Sequence, residues 1–256
     1  MAVLETLGGL PQTEILVIPI IDVSGSMAGE KIASVNEAMR AVPQQLADIN
    51  EDMADTKLKI APMEFSSGAR WFALQNNEPA EVESFRWIDM KASGLTDLGA
   101  ACSLLAQKLT VTENGGWMKG RGGAAPVIIL LSDGDPTDDY KKNLEILKKR
   151  GWFRSAIKFA VAIGADANKA VLAEFAGHSE AVIESEKVRT DLASLVKALI
   201  VSASSTASNN VSSNNNANNN AVVDDNTGDQ QDEEIIQDVI DGMEKEIRLD
   251  NADDLF

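Results

Sequence analysis

The stretch ILVIPIIDVSGSMAGEKI, Ile15 to Ile32, decides the fold. From Ile15 to Ile21 the chain is apolar with no polar face, and the run is too short for an ordinary helix. It reads as a strand buried on both sides. The run stops at Asp22, passes through Ser24, Gly25 and Ser26, and changes its period after Gly29. Ile32, Val35, Met39, Val42, Leu46 and Ile49 then step by three and four, which lays one apolar stripe along a helix. Buried strand, polar loop and amphipathic helix together open an α/β unit. Pro43 falls inside the stripe and removes a helical hydrogen bond, so a kink or break is expected near Val42.

The same alternation continues along the chain. Leu58 to Phe65, Val127 to Leu131 and Ile157 to Ile163 read as further buried strands. Leu98, Ala101, Leu104, Leu105 and Leu109 carry helical spacing, and Leu144 and Leu147 precede a cationic, glycine-terminated end, Lys148-Lys149-Arg150-Gly151. Asn168 to Ala176 and Asp191 to Val201 supply two more helical stretches. Strands that alternate with helices imply a doubly wound α/β fold, with a mostly parallel central sheet and helices on both faces. Ser66-Ser67-Gly68, set between Phe65 and Arg70-Trp71-Phe72, signals a hairpin and hence one antiparallel edge strand.

Three regions follow from composition. Residues 1–201 form the α/β domain. Residues 202–223 are an Asn/Ser-rich stretch that cannot bury enough surface to offset its ordering entropy, and they read as a disordered, flexible linker. Residues 224–256 hold 13 acids against two bases, so most of the chain's net charge of -17 lies there. Within this tail Ile236, Val239, Ile240, Met243 and Ile247 place an amphipathic helix at 233–248, suited to fold back on the domain or to dock a partner.

The charge excludes several functions. With no basic stripe to neutralise phosphates, nucleic acid and anionic membrane are not expected partners. Cys102 and His178 are the only residues of their types, which leaves no zinc cluster and no intramolecular disulfide. The N-terminus lacks a basic region before its first apolar run, and no run reaches membrane-spanning length. A cytoplasmic protein is expected. GWMKGRGG, residues 116–123, lacks phosphate-loop spacing and reads as a surface loop.

In open α/β sheets ligands bind beyond the carboxyl ends of the strands. Asp22 ends one strand, and Asp133 in VIILLSDGDPTDD follows another. Thr96, in ASGLTDLGAA, lies in a glycine-bounded loop just before a helix. Asp22 with Ser24 and Ser26, Thr96, and Asp133 are all oxygen donors, so a hard cation suits them: Mg2+, with Mn2+ also acceptable. Hydroxyls bound to the ion, with carboxylates acting through water, would leave it electrophilic toward a carboxylate from another molecule. Gly25 and Gly94 would let the loops approach closely.

On these residues the chain resembles the von Willebrand factor type A domains. DVSGSM matches their Asp-x-Ser-x-Ser element, GLTD with Thr96 is similar to the second, and LSDGDPTD with Asp133 to the third. The resemblance implies a Rossmann-like fold and a metal-ion-dependent adhesion site. In it Ser24, Ser26 and Thr96 would be hydroxyl ligands, Asp22 and Asp133 would hold waters, and a protein partner would offer an Asp or Glu. Asp135, Asp138 and Asp139 match no ligand position and are left as loop or capping acids. LSDGDPTDDY and SAIKFAVAIGADANKAVLAEFAG further resemble the bacterial TerY-type branch, linked to tellurium resistance and stress response. That likeness implies a non-enzymatic adaptor working with a Ser/Thr kinase and a PP2C-type phosphatase.

Two other readings compete. Asp22 at a strand end beside Mg2+ could be the nucleophile of a phosphotransferase, although Ser24 stands where a general acid is wanted. Alternatively Asp22, Ser24, Thr96 and Asp97 merely cap helices in a purely structural domain. Met27, inside the loop, is open to a partner-facing role. An acidic tail on a linker could also reach back and occupy the domain's own metal.

Overall fold

A computed structural model of the chain describes residues 13–52, 56–119, 124–185, 198–199, 202–203, 206 and 228–253. The element order is β1 (Thr13–Asp22), α1 (Glu30–Asp52), β2 (Thr56–Ile60), β3 (Met63–Ser66), β4 (Gly68–Trp71), β5 (Ala80–Glu81), α2 (Leu98–Lys108), β6 (Val127–Ser132), α3 (Tyr140–Lys148), α4 (Gly151–Arg154), β7 (Ile157–Ala162), α5 (Lys169–Ala176) and β8 (Val182–Glu184), followed by a C-terminal helix, Gly228–Asp253.

All strands join one sheet in the order β4-β3-β1-β6-β7-β8, with β2 also paired to β1 and β5 to β2. The pairs β1 with β2, β3 and β6, β6 with β7, and β7 with β8 are parallel; β3 with β4 and β2 with β5 are antiparallel. The fold is thus the α/β fold expected, with helices around a mostly parallel sheet. β2 and β3 hold one register against β1, with Val17 opposite Ile60 and Ile20 opposite Met63. They are one strand interrupted where Pro62 has no N–H to give. The hairpin is also present: Ser66 faces Gly68, whose φ of +97° suits glycine.

β1 is central, with every residue from Ile15 to Val23 buried. Its neighbours lie on opposite sides, β2 and β3 on one and β6 on the other, so the connection direction reverses between β1 and β6. A crevice forms at such a reversal, beyond the strand ends. Pairing Ile21 with Leu131 sets Asp22 beside Ser132 and just short of Asp133.

Four expectations are corrected. α1 runs unbroken across Pro43. Burial of Val42, Pro43 and Leu46, worth ~1.5–3 kcal/mol for each large apolar side chain, exceeds the ~3 kcal/mol that an interior proline costs. Gly151 does not terminate α3 in a left-handed turn; it opens α4, and the cap residue Lys149 stays right-handed. Trp117 and Met118 of the 116–123 loop are buried, and Trp117 lies 4.4 Å from Trp71 between ring centroids, so that part is an anchor. Met27 is 0% exposed and faces the core.

The linker at 202–223 and the helix at 191–201 lie largely outside the described residues. Ser202, Ala203 and Thr206 are helical, with Ser202 and Ala203 buried. The C-terminal helix buries Ile236, Val239 and Met243 in the same core and exposes Glu233, Glu234, Asp238 and Asp241. Its Ile235 and Ile236 line a small cavity with Ala156, Ile157, Lys158 and His178. That is the entry end of β7, whereas Ala162 at the exit end pairs with Ser132 beside Asp133. Among the described residues no helix is long and apolar enough to cross a membrane.

Candidate metal centre

Three loops, the one after β1, the one that enters α2 and the one after β6, meet beyond the carboxyl end of β1 and are tied to one another by backbone bonds. Gly25 N donates to Gly94 O at 3.1 Å, and Ser93 N to Val23 O at 2.7 Å, which joins the first loop to the second. A Cβ on Gly25 would lie 3.3 Å from Gly94 O, and Gly94 itself has φ +87°, so these two glycines set the close approach. Thr96 N donates to Thr137 Oγ1 and Thr137 N to Thr96 O, both at 2.9 Å, which joins the second loop to the third.

The candidate residues lie on the loops that these bonds hold together. Asp22, Ser24, Thr96 and Asp133 are buried, and Ser26 is exposed at the mouth. Ser24 Oγ and Ser26 Oγ are 3.0 Å apart. Asp22 Oδ1 accepts from Ser24 N at 2.8 Å, and Asp22 Oδ2 accepts from Ser132 Oγ at 2.6 Å. Ser132 Oγ in turn accepts from Gly134 N at 2.8 Å. Asp133 Oδ2 accepts from Lys31 Nζ at 3.1 Å, while Asp133 Oδ1 is buried with no hydrogen-bond partner.

Helix capping does not account for this set. Asp22 bonds Ser24 and Ser132, and Ser24 opens only the short 3-10 turn Gly25–Met27, with no side-chain cap bond. Asp97 stands at the cap position of α2 but its side chain accepts from Gly68 N at 2.8 Å. The α2 amides of Gly99 and Ala100 are capped instead by Asp138, across the loop, at 3.1 and 3.2 Å. Asp135 accepts from Asn168 Nδ2 at 3.0 Å.

Burial pushes the Asp22 carboxyl above its ordinary range; bonds from Ser132 and Ser24 oppose the rise, and the charge of Asp133 adds to it. Two carboxylates close enough to feel each other, one with an unpartnered buried oxygen, form a negative pocket that the single ammonium of Lys31 balances only in part. Among the described residues no group of three or more His, Cys, Asp or Glu could hold a metal by itself. Two carboxylates with Ser24, Ser26 and Thr96 make an all-oxygen set, which fits a hard divalent cation. The cation would supply Lewis acidity toward an incoming anionic oxygen.

Sequence reasoning missed Lys31, Ser132 and Thr137. Ser132 carries the clearest test. Ser132→Ala strips Asp22 Oδ2 and Gly134 N of their partner in a buried place, and is expected to cost ~1–3 kcal/mol of stability in urea denaturation and about tenfold in divalent affinity. Stability and affinity equal to wild type would show that Asp22 needs no such support.

Comparison with known proteins bears on the fold and the family. The human inter-alpha-trypsin inhibitor heavy chain H6 is 27% identical over 201 residues, which cover 75% of this chain but 14% of that protein. A von Willebrand factor type A protein from Catenulispora acidiphila superposes with a TM-score of 0.53 at 18% identity, over 75% of this chain and 43% of that one. Proximal thread matrix protein 1 of the mussel byssus, solved with a zinc-occupied MIDAS motif, superposes with a TM-score of 0.55 at 16% identity, over 75% and 48% of the two chains. The family model of the von Willebrand factor type A domain matches residues 17–198, and the chain belongs to that family.

Proposed function

We propose that the three-loop site binds a divalent cation, Mg2+ with Mn2+ accepted, through Ser24, Ser26 and Thr96, with Asp22 and Asp133 acting through water, and that it docks an Asp or Glu of a protein partner. The observation that carries this reading is the buried, unpartnered Asp133 Oδ1, on a carboxylate whose charge is felt by the buried carboxyl of Asp22. A structural domain has no reason to retain such a group, whereas a cation balances it. The family consists in general of metal-dependent protein-interaction modules, and the zinc in the mussel protein shows that its own motif takes a divalent ion.

The enzymatic alternatives lack support. Asp22 is 0% exposed and each of its oxygens already accepts a hydrogen bond, so it is poorly placed for in-line attack on a phosphoryl group. Burial holds the Cys102 thiol up at about 12, which leaves almost no thiolate at neutral pH. His178 lies at the entry end of β7, away from Ser26.

The adaptor role is the finer part of the proposal: a cytoplasmic stress-response protein of the TerY type, with kinase and PP2C-type phosphatase partners. It rests on the two sequence stretches that resemble that branch. Calorimetric titration with Mn2+ and Mg2+ tests the site. Wild-type protein is expected to bind one ion, and Thr96→Ala to bind it about tenfold more weakly. Equal binding by Thr96→Ala would remove the second loop from the site.

A further inference from the structure

We propose that Lys31 is a built-in cation of the metal centre, which lowers the site's affinity for its metal and raises the affinity of the loaded site for a partner carboxylate. The inference rests on the reading that the three loops bind a divalent ion.

Lys31 is the second residue of α1 and reaches across to the loops after β6 and β7. Its Nζ donates to Asp133 Oδ2 and to Asp166 Oδ1, each at 3.1 Å. The side chain is 22% exposed, Asp133 6% and Asp166 77%, so the Asp133 pair is the sheltered one. Its stem passes Gly164, where a Cβ would come within 2.8 Å of Lys31 Cε and where φ is +90°. The exit of β7 is therefore shaped around this lysine.

Helix stability does not explain the position. The first turn of a helix favours anions, and a lysine there opposes the dipole. What the lysine gains is a pair of carboxylates, Asp133 and Asp166, each accepting from its Nζ at 3.1 Å. Lys31 is a permanent cation at neutral pH.

Charge balance gives the consequence. Asp22 and Asp133 together balance one divalent ion. Lys31 adds a further positive charge inside the same sheltered cluster, so the loaded centre is net positive. Asp166 is 77% exposed, so solvation weakens its pair with Lys31 and its charge offsets that of Lys31 only in part. A net positive centre repels the metal more and attracts an external carboxylate more. An ammonium also has three donors, and two are used here, which leaves one N–H for an incoming oxygen. Because linkage is reciprocal, the carboxylate must tighten the metal by the same factor by which the metal tightens the carboxylate.

The test is Mn2+ titration by calorimetry with and without saturating acetate, on wild-type protein, Lys31→Met, Lys31→Arg and Asp166→Asn. Lys31→Met is expected to bind Mn2+ about tenfold more tightly and to lose most of the acetate coupling. Lys31→Arg keeps both values close to wild type. Asp166→Asn, at an exposed position that leaves the fold undisturbed, is expected to move both values the other way by about threefold. A lysine that merely pins the loops would lose metal and acetate together when removed, and that result overturns the inference. Identical binding by all four proteins overturns it as well. Absence of Mn2+ binding by wild type would overturn the site reading itself, and the inference with it.

Discussion

Replacing Asp22 by asparagine is expected to raise the melting temperature of the metal-free protein at neutral pH while lowering its Mn2+ affinity by about a hundredfold. The two effects share one cause. Asp22 is wholly buried, and burial lifts its pKa above the ordinary aspartate value. A carboxyl whose folded pKa lies above its unfolded one contributes stability that is complete below the unfolded value and is lost as pH rises through the folded value. At pH 7 the ionised group therefore opposes folding, and the amide does not. Asparagine can still accept from Ser24 N, so the loop keeps that bond. The advantage of Asp22→Asn should shrink as pH falls through the folded pKa of Asp22. Saturating metal reverses the order, since ligand at a hundred times its Kd adds about 2.7 kcal/mol to wild type alone. Thermal melts from pH 3 to 8, with and without Mn2+, read both halves. A metal-free Asp22→Asn protein that melts lower than wild type at every pH would mean that the buried carboxylate is adequately compensated without an ion.

The parts of the site that were legible in the sequence are those fixed by local order. Asp22 follows a buried run, Thr96 precedes a helix and Asp133 follows another buried run, and each relation survives whatever the strand pairing. Lys31, Ser132 and Thr137 depend on pairing and crossing instead. Ser132 meets Asp22 only because β6 lies beside β1 with Ile21 opposite Leu131. Lys31 meets Asp133 across two crossovers, and no periodicity encodes that distance. Burial inside a loop was equally hidden. Met27 sits among polar neighbours, yet the 3-10 turn Gly25–Met27 folds it into the core. The strands β5 and β8, two and three residues long, are too short for any period to show. At Pro43 a local rule and tertiary packing disagreed, and the buried stripe prevailed.

Val239→Asp is expected to release the C-terminal helix while leaving the sheet folded. Val239 is 0% exposed, and Ile236 and Met243 on the same stripe are buried with it. Each contributes ~1.5–3 kcal/mol of burial, the only large favourable term available to a helix whose other face carries Glu233, Glu234, Asp238, Asp241 and Glu244. A carboxylate at the centre of that stripe is buried beside like charges and must be expelled, at a cost of roughly 3 kcal/mol or more. Hydrogen exchange should then show the helix amides losing protection while those of β1 and β6 keep theirs. Asp238→Ala, on the exposed face, should change neither. The same variant separates two roles for the tail. Ile235 and Ile236 seat the helix at the entry end of β7, the end remote from Asp133. Detachment should therefore leave Mn2+ affinity unchanged. An affinity that rises on detachment would mean that tail carboxylates do reach the metal, and that the acidic segment is an internal competitor for the partner's seat.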